Sequence, residues 1–491
     1  MDSIPPWFGG VRLNFAENIL YTLSPGTSPT HHSTDGKEDS KIALTSVREG
    51  CTSVRHLSWG ALRQGVGHLA SALRAHGVKK LDRVAVVASN SIETLVVFLA
   101  TTSLGGVFSS SSTDMGTRGV LERLVQIRPV WVFVDDWAVY NGRRVDLRGK
   151  MGEIVAGMRG VEVFSGVVSQ PRFVGEEGPA DVSGVPGTRT LGEFLSVVKE
   201  EVGIREIEFE RVGFAEPFLI VYSSGTTGQP KCIVHSTGGV VLSAVKEGRL
   251  HRETGPESVC LQYTTTGWIM YLGSVQALLF GARVVMYDGS PFVPDLLTFI
   301  KLIGKQRYVY SYKLPVEEVI DLGRVTHLGI SPRYLHEIQK NDISPREVTD
   351  LSALRVVTST GMVLSDALFE WFYDVGFPPR VQLANISGGT DLAGAFGTEN
   401  PLMPVYVGGC QGPSLGTPIA VYDQLDEGGK GVKGNPVPDG VPGELIATAA
   451  FPNMPVKFWG DDDGSKYFNA YFARFDGKTS ISIVSMKLML P

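Results

Sequence analysis

Short apolar runs bounded by turn residues alternate along this chain with segments whose apolar positions recur every three or four residues. Arg83-Val84-Ala85-Val86-Val87-Ala88 has the pattern of a buried strand. Ser91 can cap the helix that follows, with Leu95, Phe98 and Leu99 on one face. Gly106-Val107-Phe108 starts the next strand, a Ser/Thr-rich turn follows, and a helix over 118–127 is stopped before Pro129. With a strand over 130–134 the order is βαβαβ, which implies a parallel sheet with right-handed crossovers. The alternation resumes at 218–222, 282–287, 325–330, 354–358 and 381–386, with helices such as 365–375 between. The fold class predicted is α/β. Residues 23–40 and 168–189, both rich in Gly, Pro, Ser and Thr, read as surface insertions.

Composition narrows the class. A chain of 491 residues is too long for one ordinary core and implies two or more packed subdomains. Its 43% hydrophobic and 20% charged residues fit a globular enzyme and exclude a disordered protein. A net charge of −6 gives no reason to expect a nucleic-acid partner. The N-terminal stretch holds Pro5, Pro6, Asn14 and Glu17 and lacks the basic and apolar regions of a secretory signal. No apolar run reaches membrane-span length, since the one around 277–286 is interrupted by Arg283. Cys51, Cys232, Cys260 and Cys410 are scattered without C-x-x-C spacing, so neither a zinc site nor a disulfide framework is indicated. A cytoplasmic protein without an evident protein partner is expected.

The chemistry concentrates after the apolar run Phe218-Leu219-Ile220-Val221. There Tyr222-Ser223-Ser224-Gly225-Thr226-Thr227-Gly228-Gln229-Pro230-Lys231 combines two glycines, four Ser/Thr hydroxyls, a stiffening proline and a mobile cation. Glycines let backbone approach an anion, hydroxyls and amides donate to it, and Lys231 adds charge. The loop suits a polyphosphate but is not a Walker A loop, whose glycines and lysine are spaced differently. A short Gly/Ser/Thr stretch can also be a plain surface turn.

The order S-S-G-T-T-G-x-P-K resembles the signature loop of the adenylate-forming superfamily, which includes acyl-CoA synthetases, luciferases and peptide-synthetase adenylation domains. Ile233-Val234-His235 and Gly238-Gly239 look like its acetyl-CoA and acetoacetyl-CoA synthetase branch. The resemblance implies ATP held by Ser223, Ser224, Gly225, Thr227 and Gly228, with Thr226 and Lys231 in catalytic positions. A carboxylate would attack the α-phosphorus, and CoA would be the acceptor.

Further segments carry the same likeness. Ser109-Ser110-Ser111-Ser112-Thr113-Asp114-Met115-Gly116 serves locally as a long N-cap, and in the family as a core motif. Thr264-Thr265-Thr266-Gly267-Trp268 resembles a segment whose aromatic lines the acyl pocket, although a Trp between strand and helix is commonly core. Gly361-Met362-Val363 falls where the family wraps adenine. Asn385-Ile386-Ser387-Gly388-Gly389-Thr390-Asp391 falls where it places a T-E pair, so Thr390 would touch the α-phosphate and Asp391 would help bind Mg²⁺. It is expected to end a strand at the same sheet edge as the phosphate loop. Acetyl-CoA synthetases have bulky tryptophans just before that threonine. Gly388 here removes the wall, so together with Trp268 it would bound a pocket for a longer acid such as acetoacetate.

The resemblance implies a large adenylate-forming domain over 1–477, with parallel sheets, helices and a smaller β-rich part. Family members continue into a W-x-H-G-D motif and a small C-terminal domain that supplies a lysine. Residues 478–491 (KTSISIVSMKLMLP) carry neither, so impaired activity is expected of this chain. Alternatives are ligation of another short-chain acid or a non-catalytic ATP- and acyl-binding remnant. A Rossmann oxidoreductase is disfavoured, because no G-x-G-x-x-G opens the first βα unit at 88–92.

Overall fold

Two largely parallel sheets flank a shared layer of helices in the computed structural model, which describes residues 4–22, 32–198, 207–223, 229–304, 307–309, 319–321, 324–423, 431, 434–438, 440–475 and 481–482. The eight-stranded sheet runs Thr188–Thr190, Gly166–Gln170, Trp131–Asp135, Arg83–Val87, Val107–Ser111 and Pro217–Ser223, all parallel. Lys231–Ser236 and Lys457–Phe458 then add antiparallel strands. The seven-stranded sheet runs Gln382–Asn385, Val356–Ser359, His327–Ile330, Val259–Gln262, Arg283–Asp288 and Ile42–Arg48 in parallel, ending on antiparallel Val54–Ser58. Two small antiparallel sheets, one of them built on Ser387–Gly389 and Gly394–Thr398, form a β-rich part.

The helix Ile92–Ser103 shows why the sheets stay together. Ser91 caps it, its hydroxyl accepting from the Thr94 amide. Leu95, Phe98 and Leu99 are buried on one face, as expected, but Val97, Ala100 and Thr101 are buried as well. The helix lies in a core that takes Phe108 and Phe218 from one sheet and Val284 and Met286 from the other. A helix covered on both sides must be apolar nearly all round. Each sheet has a second core on its outer face, around Tyr287, Phe299 and Tyr334 on one and Val87, Leu124 and Met151 on the other. No helix among the described residues is long and apolar enough to cross a membrane.

Three expectations change. Ser109, Ser110 and Ser111 are buried strand residues and cap nothing; the Thr117–Ile127 helix starts after Gly116 without a side-chain cap. Buried hydroxyls need partners, and here they find carbonyls: Ser109 Oγ donates to Ile220 O at 3.0 Å and Ser110 Oγ to Thr266 O at 2.6 Å. The segment expected to be a surface insertion over 168–189 begins inside the sheet, since Val168, Ser169 and Gln170 are buried in the Gly166–Gln170 strand. The other such segment holds a buried anchor. Lys37 Nζ donates to the carbonyls of Asn18, Ile19 and Tyr21 at 2.8–2.9 Å, satisfying groups that the Phe15–Leu20 helix leaves open at its end. Burial, with Arg63 nearby, pulls the Lys37 pKa down to about 7.

Candidate active site

Candidate residues converge from two sheets rather than one edge. Pro217–Ser223 and Lys231–Ser236 form an antiparallel hairpin with Ser223 opposite Lys231. Its connection, including Ser224, Gly225, Thr226, Thr227 and Gly228, lies outside the described residues. Trp268, Gly361 and Asn385 follow or end strands of the seven-stranded sheet. A hairpin takes the place of a βα turn at the end of the Pro217–Ser223 strand, so the second sheet has to supply the facing groups. The two sets of strand ends are bonded together: Thr266 Oγ1 donates to Ala88 O at 2.6 Å and to Ser111 O at 3.2 Å.

A second link runs through His235. This fully buried side chain sits 2.7 Å from Thr390 O through Nε2, and burial pulls its pKa down to about 4. The ring is therefore neutral near pH 7, and a carbonyl partner requires the proton on Nε2. Nδ1 is then a bare acceptor, and it is buried without a partner. Next along the chain, Asp391 Oδ1 accepts from the Tyr471 hydroxyl at 2.5 Å, and burial raises the Tyr471 pKa. Thr390 and Asp391 are thus held by side chains from two different elements. Lys231 Nζ lies 5.7 Å from the Phe458 ring centroid.

Five predicted residues, Trp268, Gly361, Ile386, Gly388 and Gly389, line one cavity of about 90 Å³ with Thr360. Gly361 needs its glycine twice, for φ +92° and because a Cβ would come within 3.1 Å of the Trp268 ring. Met362 and Val363, 57% and 82% exposed, stand out beside it. Ile386 is fixed by its amide on Ser359 O at 2.9 Å and by Thr360 Oγ1 on its carbonyl, also at 2.9 Å. Ser387 is buried, and Asn385 ends its strand in register with Ser359.

The two glycines of this cavity differ. A Cβ on Gly388 would lie 2.3 Å from Gly394 O and 3.0 Å from the Ala395 Cα, so the glycine is required by backbone approach in the hairpin. A Cβ on Gly389 would meet nothing within 4 Å. Gly388 therefore does more than remove a wall, and the open position is Gly389.

Three charged or polar lining residues were not foreseen: Glu247, Arg252 and Gln276. Arg252 Nε donates to Glu399 Oε1 at 2.5 Å, and its Nη2 stands 4.0 Å from Glu247 Oε2. Burial opposes a charge on the fully buried Glu399, yet Arg252 and the Thr398 hydroxyl hold its carboxyl below the usual range. Glu247 Oε1 accepts from the Ala395 amide at 3.0 Å and Ser414 Oγ at 3.2 Å. Sequence offered little signal for this group, because the partners of Arg252 and Glu247 lie about 150 residues away, 147 for Glu399 and 148 for Ala395, and none of the three sits in a motif. Among the described residues no three His, Cys, Asp or Glu side chains form a metal-holding cluster.

The AMP-binding enzyme family matches residues 32–451. Acetoacetyl-CoA synthetase of Gallus gallus is 36% identical over 475 residues, which cover 97% of this chain and 64% of the relative. Malonamoyl-CoA synthetase of Penicillium aethiopicum is 34% identical over 479 residues, covering 96% and 61%. Among solved structures, acetoacetyl-CoA synthetase from Streptomyces lividans superposes with a TM-score of 0.80 at 31% identity, covering 98% of this chain and 66% of that one. The chain thus spans just under two thirds of the length of these proteins.

Proposed function

The chain belongs to the AMP-binding enzyme family, and from that premise we propose that it is an acid–thiol ligase that activates acetoacetate with ATP for transfer to CoA. The observation that carries this reading is the cavity bounded by Trp268, Gly361, Gly388 and Gly389, immediately before Thr390 and Asp391. Its volume of about 90 Å³ is well below the several hundred Å³ of pockets for larger ligands, so it suits a short acid. The acids implied by the relatives' names, acetoacetate and malonamate, share a carbonyl at C3.

In this reading the acid's carboxylate enters beside Thr390 and attacks the α-phosphorus of ATP. The P–O bond to the β-phosphate breaks, and pyrophosphate leaves with the electron pair. The thiolate of CoA then attacks the acyl carbon and AMP departs. Lys231, at the head of its hairpin strand, supplies positive charge for the phosphates, together with Ser223, Ser224, Gly225, Thr226, Thr227 and Gly228. Neutral His235 fixes the Thr390 carbonyl, and Tyr471 fixes one oxygen of Asp391. Magnesium fits the donor set, because it commonly takes one or two carboxylates and completes its shell with phosphate oxygens and water. Asp391 would hold it through the oxygen that Tyr471 leaves free, and the ion would neutralise phosphate charge. Met362 and Val363 offer apolar surface to a base stacked beside Gly361.

An acid panel in a pyrophosphate-release assay tests this reading, alongside direct titration with Mg·ATP. Acetoacetate should give the fastest release, ahead of acetate and butyrate. A faster simple alkanoic acid would favour the reading as a ligase for another short acid. Binding of Mg·ATP with no release for any acid would favour a non-catalytic binding protein, and absence of Mg·ATP binding would overturn both.

A further inference from the structure

Three polar side chains, Glu247, Arg252 and Gln276, interrupt an otherwise largely apolar cavity wall. Gln276, the last residue of the Met270–Gln276 helix, lines this cavity and also a second one of about 60 Å³, and Arg252 and Glu247 are common to both. The Gln276 Nε2 is buried with no hydrogen-bond partner, although the side chain as a whole is partly exposed. Oxygen and nitrogen of an amide exchange places by a half-turn about the last side-chain bond, so this amide can present its NH₂ group to the cavity. Arg252 makes the surroundings a donor environment, with its own Nε committed to Glu399. Leu272, Ala393 and Ala395 supply the apolar remainder of the wall.

We infer that Gln276, with Arg252 beside it, hydrogen-bonds the C3 carbonyl oxygen of the bound acid, so that the site selects 3-oxo acids and their amide isosteres over alkanoic acids of equal length. The inference rests on the ligase reading above. A buried donor without a partner is costly, and a ligand carbonyl relieves that cost. A methylene at C3 cannot. A site built to hydrogen-bond its substrate therefore rejects the analogue lacking that group far more strongly than an apolar pocket rejects a change of size.

Calorimetric titration of the whole chain with two stable acyl-adenylate mimics, the 3-oxobutyryl and butyryl sulfamoyl-adenosines, tests it. Wild type should bind the 3-oxobutyryl mimic about tenfold or more tightly, the margin of one satisfied buried hydrogen bond. Gln276→Leu should abolish that preference by weakening the 3-oxobutyryl mimic alone. Gln276→Glu keeps the size, replaces the donor with an acceptor, and should do the same; it decides the matter if the leucine variant does not fold. Preference retained in a folded variant overturns the role of Gln276 and leaves the ligase reading standing. Equal binding of the two mimics by wild type overturns the inference in the same way. Binding of neither mimic overturns the ligase reading, and this inference with it.

Discussion

The two sheets bring different things to the same place. The eight-stranded sheet offers a hairpin, Pro217–Ser223 to Lys231–Ser236, whose lysine lies by the Phe458 ring with no carboxylate partner among the described residues. The seven-stranded sheet and the β-rich part behind it offer groups locked by packing: Gly361 against Trp268, Ile386 held by Ser359 and Thr360, and Arg252 paired with Glu399. One half keeps charge available for a ligand, and the other spends its polar groups on defining a shape. The same residue types thus have opposite meanings on the two sides. In the proposed function the cation on the first side, Lys231, serves the ligand, whereas Arg252 on the second is paired with Glu399 and serves chiefly the fold.

Removing a charge from each side should expose that contrast most strongly. Glu399→Leu leaves Arg252 with only the buried carboxylate of Glu247, 4.0 Å away, and breaking a buried pair from one end typically costs about 3–5 kcal/mol. Urea unfolding should register the whole of it. Lys231→Met removes a part-exposed cation whose contact is the Phe458 ring, so stability should change by about 1 kcal/mol or less. Mg·ATP affinity should instead fall about tenfold or more, the loss expected for a charge-assisted contact. A Lys231→Met variant as unstable as Glu399→Leu would erase the distinction.

Acid sensitivity sharpens the comparison at the next size down. Asp135, which ends a strand of the first sheet, is buried and accepts from Ser89 N at 2.8 Å and Ser89 Oγ at 2.6 Å; burial pushes its pKa up from 3.8 to about 6. A raised carboxyl contributes stability that is complete below pH 4 and is lost as pH rises through 6. His235 runs the other way. Its pKa falls from 6.5 to about 4, so its contribution is complete above 6.5 and is lost as pH falls through 4. Each shift corresponds to roughly 3 kcal/mol, and the two oppose each other within nearly one window. Asp135→Asn removes only the first. Relative to wild type it should lose roughly 3 kcal/mol as pH drops from 6.5 to 4, read from urea midpoints at each pH. A difference independent of pH would refute the opposition.

Local pattern made much of this molecule legible. The strands around 83–88 and 218–222, the Ser91 cap and the parallel order all follow from apolar runs and turn residues. Trp268, Gly361, Gly388 and Gly389 were recognisable through motif likeness, and the fold brings them to one cavity. What escaped depended on contacts distant in sequence. Ser109, Ser110 and Ser111 look like a cap because serine caps helices, yet carbonyls 111 and 156 residues away make them strand. Lys37 looks like a loop cation, but a helix end needs its ammonium. Arg252 and Gln276 belong to no motif, and only tertiary packing sets them around one space, with Glu399 paired to Arg252.

Gly388 and Gly389 repeat the contrast between shape and availability within two adjacent residues, and they give the finest test. Both are glycine and both line the cavity, so a sequence comparison would treat them alike. Adding a methyl group at Gly388 drives it to 2.3 Å from the Gly394 carbonyl, a backbone atom that cannot turn aside. Gly388→Ala should therefore cost about 1–3 kcal/mol in unfolding experiments, the usual penalty for overpacking. Gly389→Ala places the same methyl group in open space and should stay within about 0.5 kcal/mol of wild type. Ligand binding should reverse the ranking for larger residues: a leucine at Gly389 fills the cavity while the hairpin stays intact, so it should weaken binding of the 3-oxobutyryl mimic at nearly unchanged stability. If Gly388→Ala were neutral and Gly389→Ala destabilising, the hairpin register of Ser387–Gly389 on Gly394–Thr398 would have to differ from the one described, and the cavity's wall with it.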